Sequence, residues 1–387
     1  MTSLPPEPVA PRGLSRRAAL LLAAGALTQL SLPAAQPRPA PAAATGPGGA
    51  RLDGLLAAHA AALRGGPLAA LPLAELSYRL TGVDGARLSA ELSYRFQGFD
   101  EYPALLQRRL TLGPDGRPAA ESAAPGSAAA PWDPGPVRLV RGASCLVLGP
   151  AEQTELTALA GVADHAVPAV SKLWGTGWAG RLILQLPSTE VEFAQLLGVA
   201  PDAYQGIAAV TSAAAGAPVH TAADRILINP EAYRQLSAVG KRVVTTHEST
   251  HVATRADTHP WTPLWLSEGV ADYTGYLGTG RTAKQIAPEL ARDVAAGRVP
   301  TALPLDGDFA AGSQGIAQAY ELSWLACDLI ARKYGQPKLV QLYRAVGAAG
   351  PGQGREQQLD QVFQRELGFG IARFTKDWVN EVLRQLR

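Results

Sequence analysis

The segment HESTH at positions 247–251, followed by WLSEGVADY at 265–273, decides how this chain folds. His247 and His251 are four residues apart, so on an α-helix they project from one face and can share a metal ion. Glu248 follows His247 by about 100° around the helix axis and therefore points beside that ion. This is the position of a base that acts on a nearby water molecule.

A third metal ligand is predicted at Glu268, 17 positions after His251. Catalytic zinc usually takes three protein ligands, so the two histidines need one more. Pro260 and Pro263 break the chain after the first helix, and residues 264–276 predict a second helix. If the two helices are antiparallel, the side chain of Glu268 lies close to the two histidines.

Other side chains near the motif have predicted or competing roles. Asp272 lies one turn beyond Glu268 and is expected to accept the free ring N–H of a ligand histidine, with His247 the best candidate. Asp257 or His259 could approach the ion from the intervening loop, but neither belongs to a recognised ligand pattern. His259 is also an alternative donor to a transition state.

These motifs resemble those of gluzincin-type zinc metallopeptidases, which have peptidase MA-like domains, and they are closest to the aminopeptidase and thermolysin-like branch. The resemblance covers about residues 243–324. It implies one bound Zn²⁺, with a peptide or protein as substrate. In the segment AYELSW at 319–324, it implies that Tyr320 donates to the oxyanion.

The sequence departs from the aminopeptidase pattern in three places. The interval from His251 to Glu268 is two residues shorter than is usual in that branch. Leu322 and Ser323 stand where that branch has lysine and glycine after its Tyr-Glu pair. The Gly-x-Met-Glu-Asn strand, whose glutamate anchors a free amine, cannot be present because Met1 is the only methionine. An endopeptidase is therefore favoured over an exopeptidase.

The resemblance implies an α+β fold in which a small β-sheet subdomain precedes a mainly helical subdomain, together at 137–387. A small α+β accessory domain is predicted at 51–118, and the Pro/Ala/Gly-rich stretches 36–50 and 119–136 are predicted linkers. The strand at 225–228 is expected to run along the cleft and pair with substrate backbone, although an ordinary sheet strand fits equally well.

Residues 1–35 resemble a signal peptide, with a basic start and a 15-residue apolar run at 18–32. We therefore expect an exported protein, extracellular or associated with the cell envelope, and both the general secretory and twin-arginine routes remain open. No other stretch is long and apolar enough to span a membrane. The net charge of +2 gives no reason to expect nucleic acid binding.

Cys145 and Cys327 are the only cysteines, and two unpaired buried thiols are favoured over a disulfide. The sequence as a whole predicts a secreted or cell-surface zinc endopeptidase that uses Glu248 as base. Two alternatives remain: a non-catalytic zinc-binding module of the envelope, and a regulatory protease dedicated to one partner. The sequence does not predict the oligomeric state.

Overall fold

A computed structural model describes residues 47–201, 203–204, 206–212, 221–310, 312–350 and 354–387. The predicted signal peptide at 1–35 lies outside these residues, as does most of the linker at 36–50. The strands are β1 (Leu73–Asp84), β2 (Arg87–Phe96), β3 (Ala104–Leu112), β4 (Pro118–Ala123), β5 (Arg138–Arg141), β6 (Cys145–Gly149), β7 (Leu182–Gln185), β8 (Ala209–Thr211) and β9 (Arg225–Ile228). The helices are α1 (Pro47–Gly65), α2 (Gln153–Trp174), α3 (Glu190–Leu197), α4 (Pro230–Arg234), α5 (Ala238–Thr254), α6 (Leu264–Tyr276), α7 (Ala283–Ile286), α8 (Pro288–Ala295), α9 (Ile316–Tyr334), α10 (Gln336–Ala348), α11 (Arg355–Leu367) and α12 (Ile371–Leu386).

The N-terminal part is an antiparallel sheet in the order β1-β2-β3-β4, packed against α1. Alternate residues of β2 are buried, as expected for a strand with one covered face. On that face Leu56 of α1 packs with Leu88 and Leu110. The predicted α+β character of this region is therefore present in the structure.

A second sheet has the order β5-β6-β7-β9-β8. Its three central strands, β6, β7 and β9, are parallel, and β5 and β8 are antiparallel to their neighbours. Every residue of the three central strands is buried, because both faces of the sheet are covered.

The two faces of this sheet belong to different cores. Val147, Leu184 and Ile226 pack with α2 and α5 on one face. The opposite face shares a buried cluster with the N-terminal sheet, formed by Leu92, Tyr94 and Phe96 on one side and Leu146, Leu148 and Ile183 on the other. The N-terminal sheet is thus one layer of a continuous structure.

A buried ion pair joins the same two layers. Arg225 of β9 donates two hydrogen bonds to Asp100, which follows β2, at 2.7 and 2.9 Å. Asp100 also accepts from the backbone N–H groups of Phe96 at 2.8 Å and Ala223 at 3.1 Å. Its carboxylate is therefore held from both layers at once.

The structure corrects several sequence predictions. The predicted linker at 119–136 is wrong at its start, because Pro118–Ala123 form β4, where Glu121 pairs with Arg108 of β3 at 2.7 Å. The peptidase-like region predicted to start at 137 begins with the hairpin of β5 and β6. The linker at 36–50 overlaps the start of α1.

The rest of the chain after α5 is helical, as predicted, and has a large core of its own. Cys145 and Cys327 are both buried and free, in agreement with the favoured prediction. None of the helices in the described ranges has the length and hydrophobicity needed to span a bilayer.

Candidate metal centre

Helix α5 carries three of the predicted site residues. The hydroxyl of Ser237 accepts a hydrogen bond from the N–H of Gly240 at 3.1 Å and caps the start of this helix. His247, Glu248 and His251 are all buried on it. The Nε2 atoms of the two histidines are 3.0 Å apart, as expected for neighbours one turn apart on one face.

Helix α6 brings Glu268 to the two histidines. Its bounds are those predicted, and its first N–H, that of Leu264, donates to the carboxylate of Asp306 at 2.9 Å. Oε2 of Glu268 lies 3.2 Å from Nε2 of His247 and 3.5 Å from Nε2 of His251. The three predicted ligand side chains therefore meet at one point.

Gly269 allows α6 to lie close to α9. A Cβ at this position would be 2.5 Å from the carbonyl oxygen of Ser323, a distance that real Cβ atoms do not reach. Only glycine fits here without separating the helices. This close packing brings α9, which carries Tyr320, next to the helix that carries Glu268.

Asp272 determines which ring nitrogen of His247 faces the cluster. Its Oδ1 is 2.9 Å from Nδ1 of His247, and since a carboxylate only accepts, Nδ1 carries a proton and donates a hydrogen bond to Asp272. Nε2 therefore faces Glu268, and in the neutral ring that binds a metal it carries the lone pair. The structure places Asp272 where the sequence predicted it, one turn beyond Glu268.

The cluster lacks the hydrogen bonds that its burial would require. In the described part of the chain, neither Oε1 nor Oε2 of the buried Glu268 has a hydrogen-bond partner. Buried polar atoms are normally paired, and a carboxylate facing nitrogen lone pairs is costly unless a cation lies between them. The residues therefore fit a metal ion.

The distances also fit a tetrahedral ion. Ligand atoms held at about 2.0–2.1 Å around such an ion are about 3.3 Å from one another. Here the three separations are 3.0, 3.2 and 3.5 Å. His247, His251 and Glu268 are the group in the described residues whose ligand atoms could hold an ion.

Burial and the neighbouring charges shift the pKa values of this cluster. Burial lowers the pKa of His247, but the nearby carboxylates of Asp272 and Glu268 outweigh this and leave that pKa well above its ordinary value. Burial raises the pKa of Glu268, and the two histidines reverse this to a net lowering. Burial raises the pKa of Asp272 despite its bond to His247. The raised pKa of His247 and the lowered pKa of Glu268 mean that positive charge is stabilised at this cluster.

Glu248 is buried and has two carboxylate oxygens in different surroundings. Oε2 accepts a hydrogen bond from the hydroxyl of Thr211 at 2.6 Å. Oε1 has no hydrogen-bond partner among the described residues. Thr211 is not predicted from the sequence, because a lone threonine in a strand carries no motif that indicates such a contact.

Tyr320 lies beside the cluster, with its ring centroid 6.4 Å from that of His247. Its ring also packs edge-on against Phe309 at 5.2 Å. Burial, with the nearby carboxylates, raises the pKa of Tyr320 well above its ordinary value. Its hydroxyl therefore keeps its proton and can donate a hydrogen bond.

The competing ligands have other contacts. Asp257 is 3.3 Å from the guanidinium of Arg344, and His259 stacks on Trp261 with ring centroids 4.7 Å apart. Neither belongs to the group of converging ligand atoms.

The prediction that the strand at 225–228 pairs with substrate backbone is wrong. Residues 225–228 form β9, which has β7 on one side and β8 on the other, so it is not an edge strand. Of the described strands, β8 lies at this edge of the sheet. Local sequence could not show this, because it does not specify which strands become neighbours.

The comparisons with known proteins gave few matches. No protein-family model matches the sequence, and no curated protein sequence matches it. Some solved structures are similar to part of this chain, at low TM-scores. A two-domain M1 zinc metallopeptidase bound to L-arginine is 13% identical, with 64% of this chain and 51% of that chain covered and a TM-score of 0.35.

The other two structures come from Deinococcus radiodurans. An M1 zinc metallopeptidase is 13% identical, with 65% of this chain and 52% of that chain covered and a TM-score of 0.35. A mutant M1 zinc metallopeptidase bound to a Tyr-Ser-Ala substrate is 14% identical, with coverages of 79% and 61% and a TM-score of 0.37. This chain therefore spans about half of the first two structures. Because these similarities are low, a function for this chain must rest on its own residues.

Proposed function

We propose that this chain is a zinc-dependent endopeptidase that hydrolyses internal bonds of peptides or proteins. The observation that supports this most strongly is the convergence of three buried lone-pair atoms, on His247, His251 and Glu268, beside Glu248. A structural zinc site normally has four protein ligands, whereas three leave one position for water or substrate. The donor set of two nitrogens and one oxygen suits Zn²⁺.

The chain's own residues have clear roles in such a reaction. A bound zinc ion supplies Lewis acidity, which polarises a carbonyl and lowers the pKa of a water molecule towards about 7. Oε1 of Glu248 takes a proton from the attacking water, whose oxygen bonds to the carbonyl carbon. When the C–N bond breaks, Glu248 returns that proton to the leaving amine.

Two further residues support these steps. The hydroxyl of Tyr320 donates to the substrate oxygen as negative charge grows on it. Asp272 holds the Nδ1 proton of His247 and so keeps the Nε2 lone pair directed at the site. Neither residue exchanges a proton with the substrate.

The edge strand β8 favours a peptide as the substrate. The backbone N–H of Ser212 donates to the carbonyl oxygen of Arg225, and the backbone N–H of Asn229 donates to the carbonyl oxygen of Ala208. These residues are therefore hydrogen-bonded pairs that flank the paired residues of β8 and β9. By the alternation of antiparallel pairing, Ala209 and Thr211 direct their N–H and C=O groups away from β9. An extended peptide could add to this edge.

An internal cut is favoured over removal of a terminal residue. The sequence lacks the Gly-x-Met-Glu-Asn strand whose glutamate binds a free α-amino group in the aminopeptidase pattern, because Met1 is its only methionine. We also propose that residues 1–35 direct export, so that the enzyme acts outside the cell or in its envelope. No nucleic acid partner is proposed.

The test is mass-spectrometric cleavage profiling of a diverse unstructured peptide mixture. Zinc-loaded protein is compared with Glu248→Gln and Glu268→Ala, and zinc content is measured for all three. Glu248→Gln should keep its zinc and lose activity by several orders of magnitude, whereas Glu268→Ala should lose both. Turnover retained by Glu248→Gln would refute the mechanism, and unchanged zinc content in Glu268→Ala would refute the third ligand.

The pattern of cuts separates the alternatives. Internal cuts that vanish in Glu248→Gln support an endopeptidase, and loss of single N-terminal residues would refute it. The absence of any cleavage by folded, zinc-bound protein would favour a dedicated single substrate or a non-catalytic zinc-binding module.

A further inference from the structure

The hydroxyl of Thr211 is a hydrogen-bond partner of the Glu248 carboxylate. Its Oγ1 is 2.6 Å from Oε2 of Glu248 and 3.2 Å from the backbone carbonyl oxygen of the same residue. A hydroxyl has one proton to donate, and the shorter contact to the charged oxygen is the stronger. Thr211 therefore donates to the carboxylate.

The position of this hydroxyl is firmly fixed. Thr211 is 2% exposed, at the end of β8 opposite Ile226 of β9. A β-branched side chain has restricted rotation at χ1, and burial restricts it further. The donor can therefore hold Oε2 in one place with little loss of entropy.

We infer that Thr211 is a positioning residue for the base Glu248, an inference that rests on the proposed function. The bond to Oε2 fixes the rotation of the carboxylate, and Oε1 is left as the free acceptor for the proton of water. Without the bond, the carboxylate could turn either oxygen, or neither, towards the water. Loss of that orientation slows proton transfer, because the reaction depends on a defined geometry.

Three variants separate the hydroxyl from the shape of the residue. Thr211→Val keeps the shape and removes the donor, Thr211→Ser keeps the donor, and Thr211→Ala removes both hydroxyl and methyl without adding bulk. The substrate is the best-cleaved peptide from the profiling experiment. The measurements are kcat, KM, zinc content and the thermal unfolding midpoint.

Removal of a hydrogen bond to a charged group should lower kcat about 10- to 100-fold in Thr211→Val and Thr211→Ala. KM should change less than about twofold, because the bond acts on the base and not on bound substrate. Zinc content should equal that of the wild type in every variant. Thr211→Ser should keep kcat within about fivefold of the wild type, since its hydroxyl can still reach Oε2.

Two outcomes would overturn the inference. One is a wild-type kcat in Thr211→Val, which with a loss in Thr211→Ser and Thr211→Ala would assign the effect to packing of the methyl group. The other is a loss in Thr211→Ser equal to that in Thr211→Val, which would show that the hydroxyl by itself does not preserve activity. Failure of the proposed function is a different result, because then Glu248→Gln itself stays active. If Glu248→Gln is inactive while Thr211→Val and Thr211→Ala are fully active, only the role of Thr211 is wrong.

Discussion

The buried ion pair between Asp100 and Arg225 gives a sharp prediction about stability. In Asp100→Asn the side chain keeps its shape but loses its charge, so the guanidinium of Arg225 remains buried without a counter-ion. The Asp100 side chain is 0% exposed and that of Arg225 is 8% exposed, so water cannot replace the lost partner. Breaking a buried pair from one side costs about 3–5 kcal/mol of unfolding free energy.

The surroundings of the pair place the expected loss within that range. The carboxylate accepts two bonds from Arg225 and two from backbone N–H groups, and an amide can satisfy only part of this set. The guanidinium also lies 5.5 Å from the ring centroid of Phe96, a contact that remains in the variant. We therefore expect a loss of about 3 kcal/mol, towards the lower end.

The assay is urea unfolding followed by circular dichroism, with Glu91→Gln as the control. Glu91 pairs with Arg79 at 2.9 Å, but the Arg79 side chain is 57% exposed, so this change should cost less than about 1 kcal/mol. A double-mutant cycle with Arg225→Met then isolates the coupling between the two residues. A loss below about 1 kcal/mol in Asp100→Asn would show that the pair does not hold the layers together.

Two further predictions concern Glu321 and Asp272. Burial raises the pKa of Glu321 from 4.5 to about 8, so the folded state binds the extra proton and stability should fall as pH rises from 4.5 to 8. This dependence of the unfolding free energy on pH is at most about 1.4 kcal/mol per pH unit, and Glu321→Gln should remove it. The measurement is a set of unfolding curves recorded across that pH range. An unchanged dependence on pH in the variant would assign it to another group. Asp272→Asn should weaken zinc binding about 10- to 100-fold in a chelator competition, since the charged partner of His247 is lost. Equal affinity in that variant would contradict the proposed orientation of the ligand.

The parts of the fold that local sequence determines were predicted well. Helix α6 has the predicted bounds because Pro263 marks its start and its composition favours a helix up to Tyr276. The residues His247, His251, Glu268 and Asp272 meet as expected, since their spacing on two antiparallel helices fixes their faces. Their roles in binding and catalysis remain predictions.

The parts that depend on distant contacts were not predicted. The turn between β5 and β6 is held by Asp164 of α2, which accepts from the N–H groups of Ala143 and Ser144 at 2.9 and 2.8 Å. Strand β4 is rich in alanine and is stabilised by pairing with β3, including the Arg108–Glu121 contact. Thr211 donates its hydrogen bond to a residue 37 positions away in the chain, a contact that no local pattern encodes.

The shared core of the two sheets has a consequence for how the chain folds during synthesis. Leu92, Tyr94 and Phe96 emerge early, but their cluster is completed only by β6 and β7, and Asp100 finds its cation only when Arg225 has been made. Until then, an N-terminal fragment exposes apolar surface and tends to aggregate. We therefore expect the segment from α1 to β9 to fold as one cooperative unit, and fragments cut between β4 and β5 to reach the native state only when both halves are present together.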